Sequence, residues 1–100
     1  MIELKIRDFS ASGLYITYDI LSENKEVGRI TVEYYSHDTV KMRNLFVKSC
    51  YRHYGFADFA VKEIIRKYFK KNIILISEAD ALYLKNGFHK HGRFMIREKK

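Results

Sequence analysis

Apolar and polar residues alternate along much of the first forty positions. Ile2–Phe9 places Ile2, Leu4 and Ile6 on one face and charged residues on the other, the period of a half-buried strand. Ser10–Gly13 reads as a turn. The alternation resumes at Leu14, with Leu14, Ile16, Tyr18 and Ile20 on one face and Tyr15, Thr17 and Asp19 on the other. A polar turn at Ser22–Lys25 leads to a third strand, Val27–Tyr35, and Ser36–Asp38 turns the chain again. These connections are too short to hold a helix and suit antiparallel hairpins. The fourth strand, Thr39–Val47, changes phase: Val40 and Met42 share one parity, Leu45 and Val47 the other, with Asn44 at the switch. A one-residue slip of this kind predicts a β-bulge.

The period then changes. Beyond a polar and aromatic loop, Lys48–Phe56, the spacing of Ala57, Ala60, Val61, Ile64, Ile65 and Tyr68 predicts an amphipathic helix over Ala57–Lys71. Its opposite face is charged, and its basic last turn complements the helix dipole. Ile73–Ile76 is a short β-branched run of buried-strand type. A strand–helix–strand unit predicts a right-handed parallel crossover. Ser77 is placed to cap a second helix, Glu78–Lys85, ending at Asn86–Gly87, and Phe88–Arg97 reads as a last strand. The expectation is an α+β fold in one domain spanning residues 1–100, with a mixed, mostly antiparallel sheet of about six strands, one long helix and one short one.

Composition narrows the class. One domain's worth of chain, 100 residues, is 47% hydrophobic and 31% charged, which argues against disorder. The single cysteine, Cys50, excludes an intramolecular disulfide framework and a four-cysteine metal site. No apolar run approaches the roughly 18–20 residues of a membrane span. The opening MIELKIRDF mixes charge and apolarity unlike a secretory signal, so a cytoplasmic location is expected.

The formal net charge of +7 is uneven. Residues 1–40 sum to −3, residues 41–71 to +7 and residues 72–100 to +3. An anion site is therefore sought in the central third. There the fourth strand runs through Val47-Lys-Ser-Cys-Tyr-Arg-His-Tyr-Gly-Phe-Ala57 into the long helix. A helix N-terminus offers unpaired amides and a positive dipole end to a phosphate or pyrophosphate. Gly55 permits close backbone approach, and Arg43, Lys48 and Arg52 add charge. On the loop alone, a strand-to-helix turn that needs one glycine explains the composition equally well.

The hexapeptide Arg52-His53-Tyr54-Gly55-Phe56-Ala57 resembles the acyl-CoA-binding signature of the GNAT superfamily of N-acetyltransferases, Gln/Arg-x-x-Gly-x-Gly/Ala. Downstream, Ala81-Leu82-Tyr83-Leu84-Lys85-Asn86-Gly87-Phe88 resembles the family's Ala-x-x-Leu-Tyr-x-x-x-Gly-Phe ending, with Leu82-Tyr83 and Gly87-Phe88 in register. The resemblance covers about residues 39–96, and a bulged fourth strand is also a trait of the family. It implies a three-layer fold and acetyl-CoA as co-substrate, with no metal. Leu45, Phe46 and Val47 would pair with the pantetheine arm, and the amides of Arg52, His53, Tyr54, Gly55, Phe56 and Ala57 would hold the pyrophosphate. Tyr83 would protonate the departing thiolate as general acid. A phenol, with a reference pKa of about 10, is a neutral donor at pH 7. The acceptor would be a primary amine, either a protein lysine or N-terminus or a small amine, with the chain a monomer or homodimer and no membrane or nucleic-acid partner.

The sequence also departs from the family. Ser77 stands where many members have a pantetheine-binding asparagine, and can still donate one hydrogen bond. The Met42-Arg43-Asn44 stretch lacks the carboxylate base some members carry; Glu33, Asp38, Glu78 and His53 are substitutes. The two helices that usually follow the first strand are missing, which implies a minimal form with an open acceptor site. Asp19, Glu33 and Asp38 would draw a cationic amine. A catalytically silent interaction module of the same fold, and a basic nucleic-acid binder, are the alternatives. Cys50 reads as a passive residue, and His89 and His91 as solvent-exposed rather than a metal edge.

Overall fold

The computed structural model describes residues 1–100. Four strands, β1 (Ile2–Phe9), β2 (Tyr15–Ser22), β3 (Lys25–Ser36) and β4 (Thr39–Val47), form an antiparallel meander. A 3₁₀ turn at Ser49–Tyr51 leads into helix α1 (Phe56–Lys67), followed by β5 (Asn72–Ile76), the short helix α2 (Asp80–Leu84), β6 (His89–His91) and β7 (Phe94–Arg97). The seven strands lie in one sheet, ordered β1-β2-β3-β4-β5-β7-β6. Only β4 and β5 run parallel, as the crossover through α1 predicts.

The alternation read from the sequence decides which face is buried. Ile16, Tyr18, Ile30, Val32, Val40, Met42, Ile73, Leu75 and Met95 all point to one side, where Val61 and Ile64 of α1, Tyr68 just beyond it and Tyr83 of α2 complete the core. Ala60, the other fully buried residue of α1, packs with Ile20 and Val27 in an adjoining cluster. Both helices thus lie on the same face. The other face carries rows of polar pairs, Thr17 against Thr31 and Arg43 against Glu33, and no element covers it. The three layers implied by the resemblance are therefore two here. The segments that would build the third layer are missing between β1 and β2, which the five residues 10–14 join directly.

Other boundaries also shift. The final run is a hairpin of two strands, because Gly92 adopts φ 62° and lets the chain reverse between His91 and Phe94. The sheet thus has seven strands rather than six. Helix α1 ends at Lys67, not Lys71: Tyr68 leaves helical geometry, at φ −116° and ψ 33°, so that the chain can enter β5. Helix α2 starts at Asp80, with Ala79 as its cap residue instead of Ser77. Ile6, assigned to the core face of β1, is 49% exposed on an edge strand whose register slips between Ile6 and Asp8.

The bulge in β4 is present. Arg43 pairs with Thr31 and Phe46 with Arg29, so Asn44 and Leu45 together face the single residue Ile30, and Asn44 takes a left-handed φ of 52°. Beyond the bulge, Gly28 lets β4 press close to β3. A Cβ there would run into the Phe46 carbonyl oxygen.

Candidate active site

The parallel ladder between β4 and β5 is short. It joins Thr39, Val40 and Lys41 to Asn72, Ile73 and Ile74, and then stops. The bulge turns β4 away from that point on. Between the two diverging strands lies a cleft of about 730 Å³. Leu45, Phe46, Val47, Arg52, Ala57 and Tyr83, six of the residues singled out in the sequence, line it. Sequence reasoning did not foresee Met42, Leu75, Ile76, Ala79 and Leu82 as its remaining apolar walls. They had been read only as core or helix positions, because periodicity reports which face a side chain takes and not where two strands part.

A smaller hollow of about 240 Å³ adjoins the cleft at the start of α1. Arg52, His53, Gly55, Phe56 and Ala57 all line it, and Val47, Arg52, Ala57 and Leu82 also belong to the cleft, so the two spaces are continuous in their walls. Gly55 is the cap residue of α1, in the left-handed region at φ 83° and ψ 11°, and no side chain caps the helix. The first backbone bond into the helix is donated by Phe59 to the Gly55 carbonyl, which leaves the amides of Phe56, Ala57 and Asp58 without helical partners. Arg52 folds back, its Nε donating to the Val47 carbonyl at 3.1 Å, and ties the loop to the end of β4. Tyr54 lines neither space: it is 72% exposed and rests against Phe56 at 6.2 Å.

The far wall is held by a residue that sequence reasoning left on the solvent face. Asp58, in the first turn of α1, accepts from Lys62 Nζ at 2.6 Å and from Asn86 Nδ2 at 2.9 Å, and Lys85 Nζ stands 3.4 Å away. The bonds from Lys62 and Asn86 hold its carboxyl at a pKa of about 2. Asn86 also donates to the Leu82 carbonyl, so one carboxylate clamps α2 to the start of α1. An acid in a helix's first turn was the available signal.

Tyr83 is positioned by the turn that follows it. The Phe88 amide donates to the Tyr83 carbonyl and the Gly87 amide to the Leu84 carbonyl, with Gly87 at φ 86°. This is a Schellman ending, whose usual apolar contact is made here by the Phe88 ring lying edge-on to Tyr83 at 5.6 Å. The Leu-Tyr-x-x-x-Gly-Phe spacing therefore has a structural meaning of its own: it fixes the tyrosine's backbone and ring. Tyr83 is buried, and burial alone pushes its phenol pKa up.

Other candidates fall elsewhere. Ser77 is outside the cleft lining, its Oγ accepting from the Ala79 amide at 3.0 Å. Among the substitute bases only Glu78 lines the cleft; His53 lines the smaller hollow. Glu33 is paired with Arg43 at 2.8 Å on the uncovered face, and Asp38 sits in the β3–β4 turn, held by Ser36 and Thr39. Cys50, His89 and His91 are exposed, and no group of three or more His, Cys, Asp or Glu side chains is arranged to hold a metal ion. No helix is long and apolar enough to cross a membrane.

By sequence, no family model and no curated protein matches the chain. By structure, many do. The Bacillus subtilis acetyltransferase solved in complex with CoA superposes with a TM-score of 0.74 at 15% identity, covering 96% of this chain and 95% of that one. A GNAT-family acetyltransferase from Elizabethkingia anophelis, solved with acetyl-CoA bound, gives 0.69 at 15% identity, over 85% of this chain and 76% of its own. A GNAT-family acetyltransferase from Staphylococcus aureus gives 0.69 at 18% identity, over 86% and 69%. The chain has the GNAT fold. At these identities the likeness is one of fold. The chain spans 62% of the length of an Exiguobacterium protein assigned as an acetyltransferase, at a TM-score of 0.71 and 20% identity. The bulged β4 is the trait that the sequence resemblance implied.

Proposed function

We propose that this chain is an acyltransferase that moves an acetyl group from acetyl-CoA to a primary amine. One observation carries the reading: the cleft opened where β4 and β5 part runs from an uncapped helix N-terminus to a buried tyrosine. The two ends suit the two ends of an acyl-CoA. The free amides of Phe56, Ala57 and Asp58, with the dipole of α1, suit a pyrophosphate. The apolar walls suit a pantetheine arm, which the unpaired edge of β4 at Leu45–Val47 meets with backbone donors and acceptors. The acetyl-CoA or CoA bound in neighbours of the same fold supports the same donor.

In this mechanism the neutral amine attacks the thioester carbonyl and forms the new C–N bond. The backbone near Phe46–Val47 polarises that carbonyl. As the C–S bond breaks, Tyr83 gives its phenolic proton to the thiolate. The proton lost by the acylated nitrogen returns to the phenolate through water. Burial keeps Tyr83 protonated at neutral pH, as an acid requires. Glu78 is the one carboxylate in the cleft wall. The uncovered sheet face leaves the acceptor side open, which suits an amine presented on a protein surface.

Titration of the purified protein with acetyl-CoA by calorimetry tests the donor, and no heat at millimolar ligand would refute it. Tyr83→Phe tests the acid. Acetyl transfer falls by about 100-fold or more while acetyl-CoA affinity stays within about twofold. A variant that transfers at the wild-type rate removes Tyr83 from the mechanism. A wild type that binds acetyl-CoA yet acetylates nothing supports the silent-module alternative, which the departures from the family pattern favour.

A further inference from the structure

The positive charge of the central segment does not all serve the cleft. Lys67, Lys70 and Lys71 lie at the other end of α1, where the chain's last residues join them. The Lys100 amide donates to the Phe69 carbonyl, the Lys99 amide to Asn72 Oδ1, and Lys71 Nζ to the His37 carbonyl. Arg97, Lys99 and Lys100 also line a hollow of about 360 Å³ with a single apolar wall residue, Ile96. Three side-chain carboxylates border this region, and Glu63 lies one turn before Lys67. Asp38 is 3.8 Å from Lys99, and Glu98 faces His89 at 3.1 Å. Lys67 faces Glu63 on the same helix, whereas Lys70, Lys71 and Lys100 have no acidic side chain within 4 Å.

Helix-dipole compensation explains one or two cations at a helix C-terminus, not a group gathered from three segments. Nor does it explain an exposed aromatic ring there. Phe69 is 49% exposed in the middle of the group, with Lys70 Nζ 5.6 Å from its ring centre. An unpaired base can lie on this ring while the phosphates on either side of it meet the lysines.

We infer that this end of the molecule is a docking surface for single-stranded nucleic acid, with lysines on the phosphates and Phe69 under a base. The surface lies at the opposite end of α1 from the cleft, and the inference does not rest on the acyl-CoA reading. The test is fluorescence anisotropy of a labelled, uridine-rich RNA of about 12 nucleotides with the full chain, from about 50 to 200 mM salt. The triple variant Lys70→Glu, Lys99→Glu, Lys100→Glu weakens binding by about tenfold or more and lowers the salt slope by about 2. The control Lys5→Glu, Lys25→Glu, Arg93→Glu changes net charge equally and weakens binding by less than about threefold. Phe69→Ser leaves every charge in place and weakens binding at least about fivefold, and it carries the test alone if the triple variant does not fold. Equal losses in both triple variants, no binding by the wild type at low salt, or displacement of the RNA by polyglutamate of matched charge would each overturn the inference.

Discussion

The two ends of helix α1 are both basic, yet they are built for different things. At the N-terminal end the backbone itself is the positive element: uncapped amides behind Gly55, with a hollow in front of them. At the C-terminal end the backbone is negative, and flexible lysines supply the charge. The first arrangement suits an anion held by geometry, and the second suits a polyanion followed loosely. Counting charge along a sequence cannot separate them, whereas helix polarity does so at once.

A carboxylate inserted at each end gives the widest contrast. Ala57 lies between cleft and hollow, so Ala57→Asp sets a negative charge against the phosphate position, and calorimetry shows acetyl-CoA affinity falling by about 100-fold. Lys70→Glu makes a larger charge change at the other end and leaves that affinity within about twofold. A comparable loss in both variants would mean that net charge, not helix polarity, attracts the ligand.

Backbone geometry gives the next effect. At Gly55 nothing stands within 4 Å of an added Cβ, so Gly55→Ala meets strain rather than a clash. A left-handed alanine costs about 1–2 kcal/mol, and the melting temperature drops by roughly 4–8 °C per kcal/mol. An unchanged melting temperature would show that the loop relaxes without cost.

The smallest effect concerns Asp58, whose carboxyl sits at about 2 when folded against 3.8 when free. Because the folded value is the lower, the clamp contributes above pH ~4 and its contribution disappears as pH falls toward 2. Its lysine partners are more than half exposed, so we expect about 1 kcal/mol rather than the full value of the shift. Asp58→Asn removes this amount at pH 7 and flattens the acid limb of a denaturation curve. A variant with an unaltered acid limb would show that α2 is held by packing alone.

Much of this was legible in the sequence where the period of the pattern was strong. Strands β1 and β4 end where alternation says they should, and the parity switch at Asn44 marked the bulge. The Gly55 and Tyr83 motifs pointed to both ends of the cleft. What escaped had a common cause. The break at Gly92, the carbonyl pressed against Gly28 and the clamp at Asp58 each depend on a partner distant in sequence or on a single backbone angle, and neither leaves a period. Ser77 is a different case: its hydroxyl accepts from the Ala79 amide, a local use that the motif did not announce, and it keeps its proton to donate.

The three residue pairs between β4 and β5 have a mechanical consequence. They make this junction a short seam, no longer than the ladder of the β6–β7 hairpin, that joins a four-stranded raft to a three-stranded one. The seam's open end is also the cleft. An extended molecule that offers amides and carbonyls along its length can enter there as a splint, lending the sheet hydrogen bonds that the chain does not make for itself. Occupancy and rigidity are then one equilibrium, in which each bound molecule braces the line between the two rafts.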